Sequence, residues 1–244
     1  MQLPNKDDLQ VIIPMAGLGR RFLDRGYKLS KPLIPVGTKP MIQRVVENLG
    51  INKNFTFLIQ NELLKDNTLN NLLDSLCYNP RIISLDKLTE GPLSTVLLAR
   101  EYISDSPLLV INCDQIIGDF SIDTLLNFVK SSNSDGVLGT FISNSPKNSY
   151  VRLNNEGTVE LVREKEVISN IATNGLHFWR NGHDFLRSAD KTIEDNIRCN
   201  GEFYIAPTYN YLIQENKKIH PFFYNLHWPI GTPEDLEFYI ENIL

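Results

Sequence analysis

The chain is poor in the residues that staple small folds or build metal sites. Its three cysteines in 244 residues, Cys77, Cys113 and Cys199, are odd in number and far apart. They match no zinc spacing and suit a reducing compartment. The four histidines, His177, His183, His220 and His227, form no i, i+4 pair and no His-Glu-x-x-His pattern, so they read as satisfied or exposed side chains rather than metal ligands. No apolar run approaches the ~20 residues of a membrane span. The opening MQLPNKDDLQ lacks the apolar stretch of a secretory leader. Internal repeats and low-complexity tracts are missing too. Excess positive charge is also absent: the net charge is −5, which argues against a nucleic-acid surface. Together these absences predict a cytoplasmic protein with no membrane or nucleic-acid partner.

What is present is an ordinary globular composition, 42% hydrophobic and 22% charged, in a chain long enough to need no disulfide or metal staple. Short apolar runs alternate with amphipathic segments through the first half. Strands are expected at 10–15, 54–60, 81–85, 107–112 and 136–142, and helices at 40–49, 61–77, 92–103 and 121–132. Such alternation predicts an α/β fold, a Rossmann-like, mostly parallel mixed sheet flanked by helices. The second half opens with a hairpin signal, Tyr150–Leu153 and Thr158–Val162 around Asn154-Asn155-Glu156-Gly157. A strand near 171–179 and a helix near 206–215 follow. A terminal helix starts at Thr232, with Pro233 in its first position. Trp228 and the aromatic run Phe222, Phe223, Tyr224 read as core.

One loop concentrates the charge. After the apolar run Val11-Ile12-Ile13 comes the turn Ala16-Gly17-Leu18-Gly19. Five cations then fall within twelve residues, Arg20, Arg21, Arg25, Lys28 and Lys31, where the chain average predicts about one. Exposed backbone N–H groups with cations converging on them form a cradle for a polyphosphate. The dinucleotide pattern G-x-G-x-x-G fails because Phe22 stands at the third glycine, and a Walker A loop is absent. In an open α/β sheet ligands sit beyond the carboxyl ends of the strands, where this loop and Asp114 both fall.

The pattern that fits is A-G-x-G-x-R followed by K-P: Gly17, Gly19, Arg21, then Lys31-Pro32. It resembles the signature of the sugar-phosphate nucleotidylyltransferases, the glucose-1-phosphate thymidylyl- and uridylyltransferases among them. The resemblance runs over most of the chain. Glu90-Gly91-Pro92 resembles the loop that meets the nucleobase, and Asn112-Cys113-Asp114 the strand end bearing a metal-binding aspartate. Glu164-Lys165 resembles the pair placed on the sugar phosphate, Asn174-Gly175 the segment lining the sugar site, and IGTPEDL the C-terminal stretch. The resemblance implies a single domain over 1–244, with 1–135 mainly binding nucleotide and 136–244 mainly sugar phosphate. It implies an enzyme that joins an NTP to a sugar 1-phosphate for polysaccharide synthesis, with Mg²⁺ on Asp114, and it leaves homo-oligomerisation open. Arg21, Lys31 and Lys165 would be catalytic. Ala16, Gly17, Leu18, Gly19, Glu90 and Gly91 would bind nucleotide, and Glu164, Asn174 and Gly175 the acceptor. Arg20, Arg25 and Lys28 read as a solvated face.

Two positions depart from that pattern. Pro229 stands where the family has a second metal-binding aspartate, so Asp114 and the phosphates suffice, or a carboxylate such as Asp119 substitutes, or the site is impaired. Asp86 stands where thymidylyl and uridylyl enzymes carry glutamine, so CTP and GTP are open as donors. Three rivals remain: a cytidylyltransferase acting on a phosphorylated alcohol such as phosphocholine, a sugar-nucleotide-binding regulatory module, and a glycosyltransferase. The D-x-D motif that the last would want is absent, since Gln115-Ile116 follows Asp114.

Overall fold

The computed structural model describes residues 5–244; residues 1–4, on which part of the leader reading falls, lie outside it. The first half builds β1 (Gln10–Pro14), α1 (Arg20–Asp24), the small pair β2 (Pro35–Val36) and β3 (Lys39–Pro40), α2 (Met41–Leu49), β4 (Phe55–Gln60), α3 (Thr68–Leu76) and β5 (Arg81–Leu85). It continues through α4 (Pro92–Leu97), β6 (Leu108–Ile111), β7 (Gln115–Ile117) and α5 (Ile122–Ser131). The second half adds β8 (Gly136–Ile142), the hairpin β9 (Ser149–Leu153) and β10 (Val159–Glu164), β11 (Ile171–Trp179) and α6 (Gly182–Glu194). It closes with α7 (Tyr209–Gln214), β12 (Ile219–Phe223), β13 (His227–Pro229) and α8 (Pro233–Asn242).

The strands β6, β1, β4 and β5 run parallel, with β5 at the edge of the sheet. Their side chains alternate between two cores. Val11, Ile13, Phe57, Ile59, Leu109 and Ile111 join one cluster, with α2, α3, α5 and α8. Ile12, Leu58, Leu108 and Val110 join the other, with α4, α6 and α7. Burial on both faces is why β6, β1 and β4 read as continuous apolar runs rather than as alternating ones. The sheet is therefore the expected mixed, mostly parallel one flanked by helices.

The second half enters through β11, which runs antiparallel to both β6 and β8, while β12 lies parallel to β8. The second half of β11 faces β6 through Leu176–Trp179; on its first half, Ala172 faces Tyr150 of β9 instead. The register shifts between Thr173 and His177. There Gly175 has φ +79°, and a Cβ on it would lie 2.2 Å from the Asn112 side chain. Glycine is needed for both reasons, and the bulge sets Asn174 and Asn112 together at the carboxyl end of β6.

Several expectations change. The helix expected over 61–77 is a 3-10 turn at Asn61–Leu64 followed by α3, because Asn67 adopts a left-handed conformation and Asp66 caps the Thr68 amide at 3.0 Å. The segment 92–103 likewise divides into α4 and a 3-10 turn at Arg100–Tyr102. The helix α6 was not anticipated, since its buried face carries Ser188, Ala189 and Thr192 beside Phe185 instead of a run of large apolar residues. Of the aromatics assigned to the core, Tyr224 is buried, Phe222 and Trp228 are partly buried, and Phe223 is exposed.

Candidate functional site

The loop leaving β1 is tied to β4 by one backbone bond and one from the Gln60 side chain. The Met15 N–H donates to the Leu58 carbonyl at 3.0 Å, and the Gln60 amide donates to the Ala16 carbonyl at 2.9 Å. Gly19 then turns with φ +59°, and a Cβ there would sit 3.0 Å from the Cβ of Lys31. This close approach folds Lys31 back against the loop. Nothing lies within 4 Å of the Cβ position at Gly17, so that stretch of backbone faces open space.

Lys31 and Asp114 form a hydrogen-bonded ion pair, with side chains 17% and 28% exposed. Burial pulls the Lys31 ammonium down, but the charge and hydrogen bond of Asp114 outweigh it and hold the group above the ordinary lysine value. Burial pushes the Cys113 thiol up to about 12, which leaves it inert. Gly231 sits beside this pair: a Cβ on it would lie 2.5 Å from Asp114 Oδ2. The Ile230 N–H also donates to the Asp114 carbonyl at 2.9 Å.

These groups line a cavity of about 740 Å³ whose opposite wall comes from the second half of the chain. Gly19, Arg21, Lys31 and Asp114 face it from one side, and Glu164, Lys165, Asn174 and Gly175 from the other. Ser149 donates to the Glu164 carboxylate; burial raises that carboxyl above its usual range, against the opposing pull of Ser149 and Lys165. Lys165 donates to the Tyr204 hydroxyl and lies 4.4 Å from the centre of its ring. Burial lowers the Lys165 ammonium, and Tyr204 and Glu164 more than reverse it. The cavity thus joins cations to hydrogen-bonding groups and is shaped for a polyanion with a polar second half.

Other sequence-derived residues fall elsewhere. Glu90 turns to an ion pair with Arg198 at 3.1 Å, and Pro92 is the member of its loop that lines the cavity. Gly91 has φ +128° and admits the Phe203 backbone, whose oxygen would lie 2.5 Å from a Cβ. Ala16 is buried and Leu18 is 45% exposed; neither they nor Gly17 lines the cavity wall. Asp86 accepts a hydrogen bond from Asn61. Among the cations read as a solvated face, Arg25 pairs with Glu234 at 2.5 Å and Lys28 is exposed, but Arg20 lines the cavity.

A single hard carboxylate facing a cavity suits a cation held mainly by phosphate oxygens. Asp114 has that character: it lines the cavity, and only a residue without a Cβ fits beside its Oδ2, at Gly231. Pro229 lies in the cavity wall, paired with Gln115. Asp119 is no substitute for the missing carboxylate, because it accepts from the Asn225 and Leu226 amides at 3.0 and 3.4 Å and does not reach the cavity. No group of three or more metal-binding side chains occurs among the described residues.

The profile of the family described as nucleotidyl transferase matches residues 10–238. The chain belongs to the nucleotidyl transferase family. Among curated proteins, the chain is 27% identical over 239 residues to the bifunctional protein GlmU of Methanococcus maripaludis, covering 93% of the chain and 53% of that protein. It is 29% identical over 143 residues to the UTP–glucose-1-phosphate uridylyltransferase of Escherichia coli, covering 48% of each. The chain thus spans about half the length of the curated relatives it matches. Among solved structures, a nucleoside-diphosphate-sugar pyrophosphorylase from Vibrio cholerae superposes with a TM-score of 0.81 at 24% identity, covering 96% of this chain and all of that one. A UDP-glucose pyrophosphorylase complexed with UDP-glucose superposes with a TM-score of 0.75 at 18% identity, covering 95% and 97%. At such identities the likeness is one of fold.

The cavity also holds residues that the sequence did not single out. Gln115, Lys147, Tyr204 and Asp235 line it, with His177 and His227. Burial pulls His177 down to about 3; it also pulls His227 down to about 4, against Asp114. Both rings are therefore neutral near pH 7 and serve as polar wall, not as phosphate cations. Tyr204 lay hidden because its partner Lys165 is 39 positions away.

Proposed function

We propose that the chain transfers a nucleotidyl group from an NTP to a sugar 1-phosphate, forming an NDP-sugar and releasing pyrophosphate. The observation that carries this reading is the single cavity in which Arg21, Lys31 and Asp114 meet Glu164, Lys165 and Asn174. An oxygen of the acceptor phosphate attacks the α-phosphorus in line. The new P–O bond forms as the bond to the bridging α–β oxygen breaks, and pyrophosphate leaves with that electron pair. The nucleophile is already an anion, so no general base is required. The two substrates bring about six negative charges, and the protein's task is positioning and neutralisation.

Arg21 offers a planar fork for the departing pyrophosphate. Lys31 is a point charge for the α- and β-phosphates, kept protonated by Asp114 until substrate arrives. Lys165 holds the acceptor phosphate, and Glu164, Asn174 and Gly175 border the rest of the acceptor. Asp114 would hold Mg²⁺, which would supply Lewis-acid neutralisation of the phosphates.

The test mixes the protein and Mg²⁺ with each common NTP and a panel of acceptors that includes glucose 1-phosphate and phosphocholine, and measures pyrophosphate release. Release with a sugar 1-phosphate supports the reading. Release with phosphocholine alone replaces it with the alcohol-phosphate cytidylyltransferase. Tight sugar-nucleotide binding without release points to a binding module, the outcome that Pro229 in the cavity wall would favour.

A further inference from the structure

We propose that Tyr204 is the positioning residue of the acceptor phosphate, fixing the Lys165 ammonium through its hydroxyl and ring; this rests on the role given to Lys165 above. Eight described non-glycine residues have positive φ, and seven of them are asparagine. Asparagine tolerates that region because its short side chain can bond locally, whereas lysine has no such compensation. Lys165, at φ +54°, is the exception. A strained backbone at a residue that lines the cavity is stored where the surroundings enforce it. Here the enforcement is visible: the Lys165 N–H donates to the Asn148 carbonyl at 3.0 Å, turning the chain at the end of β10 so that the side chain crosses to Tyr204.

A lysine side chain has four rotatable bonds and would otherwise sample much of the cavity. Tyr204 restricts it twice, by accepting its hydrogen bond and by lying beneath the ammonium. The hydroxyl is itself oriented, since its proton goes to Glu202 Oε2 at 2.8 Å and its lone pairs are left for Lys165.

The anchor is not part of the β9–β10 hairpin. The Phe203 N–H donates to the Glu90 carbonyl at 2.8 Å, the Leu93 N–H donates to the Phe203 carbonyl at 3.0 Å, and the Arg198 guanidinium covers the Phe203 ring at 3.7 Å. Tyr204 therefore measures Lys165 against the Glu90–Gly91 loop of the first half. The hairpin itself is held separately, by the Ala172–Tyr150 pairing with β11 and by Asn210, which exchanges two 2.9 Å hydrogen bonds with the Val162 backbone. The arrangement also accounts for Gly91, whose missing Cβ lets the Phe203 backbone dock.

The experiment follows pyrophosphate release with UTP and glucose 1-phosphate, or with whichever pair the panel above selects. Lys165→Met should lower kcat/KM for the acceptor about a hundredfold. Tyr204→Phe, which keeps the ring, should raise the acceptor KM about tenfold while leaving the NTP KM within about twofold. Glu202→Gln should move the same constant in the same direction by a smaller factor. The decisive arm is the double variant: Lys165→Met with Tyr204→Phe should be no slower than Lys165→Met alone, because the hydroxyl then has nothing to hold.

Absence of turnover with every pair, or Lys165→Met at wild-type rate, brings down the acceptor-site reading and this proposal with it. Lys165→Met impaired, but Tyr204→Phe at wild-type KM, overturns the positioning role alone. So does a double variant that loses a further factor, which would mark Tyr204 as a structural residue.

Discussion

At the scale of single residues, the ion pair between Lys31 and Asp114 separates chemistry from stability. Lys31→Ala should cut turnover by about two to three orders of magnitude, the usual cost of one charge-stabilising group. Its melting temperature should stay within a few degrees, because Asp114 is 28% exposed and can be solvated once unpaired. A rate near wild type in the pyrophosphate assay would remove the phosphate role from this loop. Lys165→Asn is the complementary case. Asparagine suits the left-handed backbone at φ +54°, so the variant should melt no lower than wild type while losing acceptor turnover; a clear fall in melting temperature would deny that strain is stored there. Arg25→Ala, by contrast, removes only an exposed pair with Glu234 and should leave both rate and melting temperature unchanged.

At the scale of elements, the bulge in β11 is the most demanding join. Gly175→Ala would place a methyl 2.2 Å from the Asn112 side chain at φ +79°. It should cost about 1–3 kcal/mol in denaturant unfolding and lower turnover by displacing Asn112 from beside Asp114; an unchanged midpoint would show that the bulge relaxes freely. This scale is also where sequence and structure diverge most clearly. The strands β1, β4, β6 and β8 were legible because burial on both faces leaves apolar runs bounded by turns. The N-caps of α5 and α8 were legible in Ser121 and Thr232, whose hydroxyls take the Thr124 and Asp235 amides. By contrast α6 was not legible, since small and polar residues fill its buried face, nor were β7 and β13, which exist only by pairing with each other. Within the site, Arg21, Lys31, Asp114, Glu164 and Lys165 were legible through motif spacing. Tyr204, Gln115 and His227 were not, as their places depend on contacts between distant segments.

For the molecule as a whole, the buried His177 ties stability to pH. Its folded value, about 3, lies far below the ordinary 6.5, so the unfolded chain binds the proton first as pH falls. Stability should therefore drop progressively below about pH 6.5, with this contribution spent only near pH 3. His177→Gln should flatten the slope of melting temperature against pH between about 6 and 4; an unaltered slope would place the titration elsewhere. No helix among the described residues is long and apolar enough to cross a membrane.

The Lys31–Asp114 pair has one more consequence. Asp114 is a counter-ion built into the chain, so a polyphosphate arriving at Lys31 replaces one anion with another and sets no dissolved salt ion free. Arg20 and Arg21, which have no carboxylate partner among the described residues, must shed theirs to the bulk. The ionic-strength dependence of nucleotide affinity should thus report on the two arginines and be nearly blind to the lysine on which transfer depends.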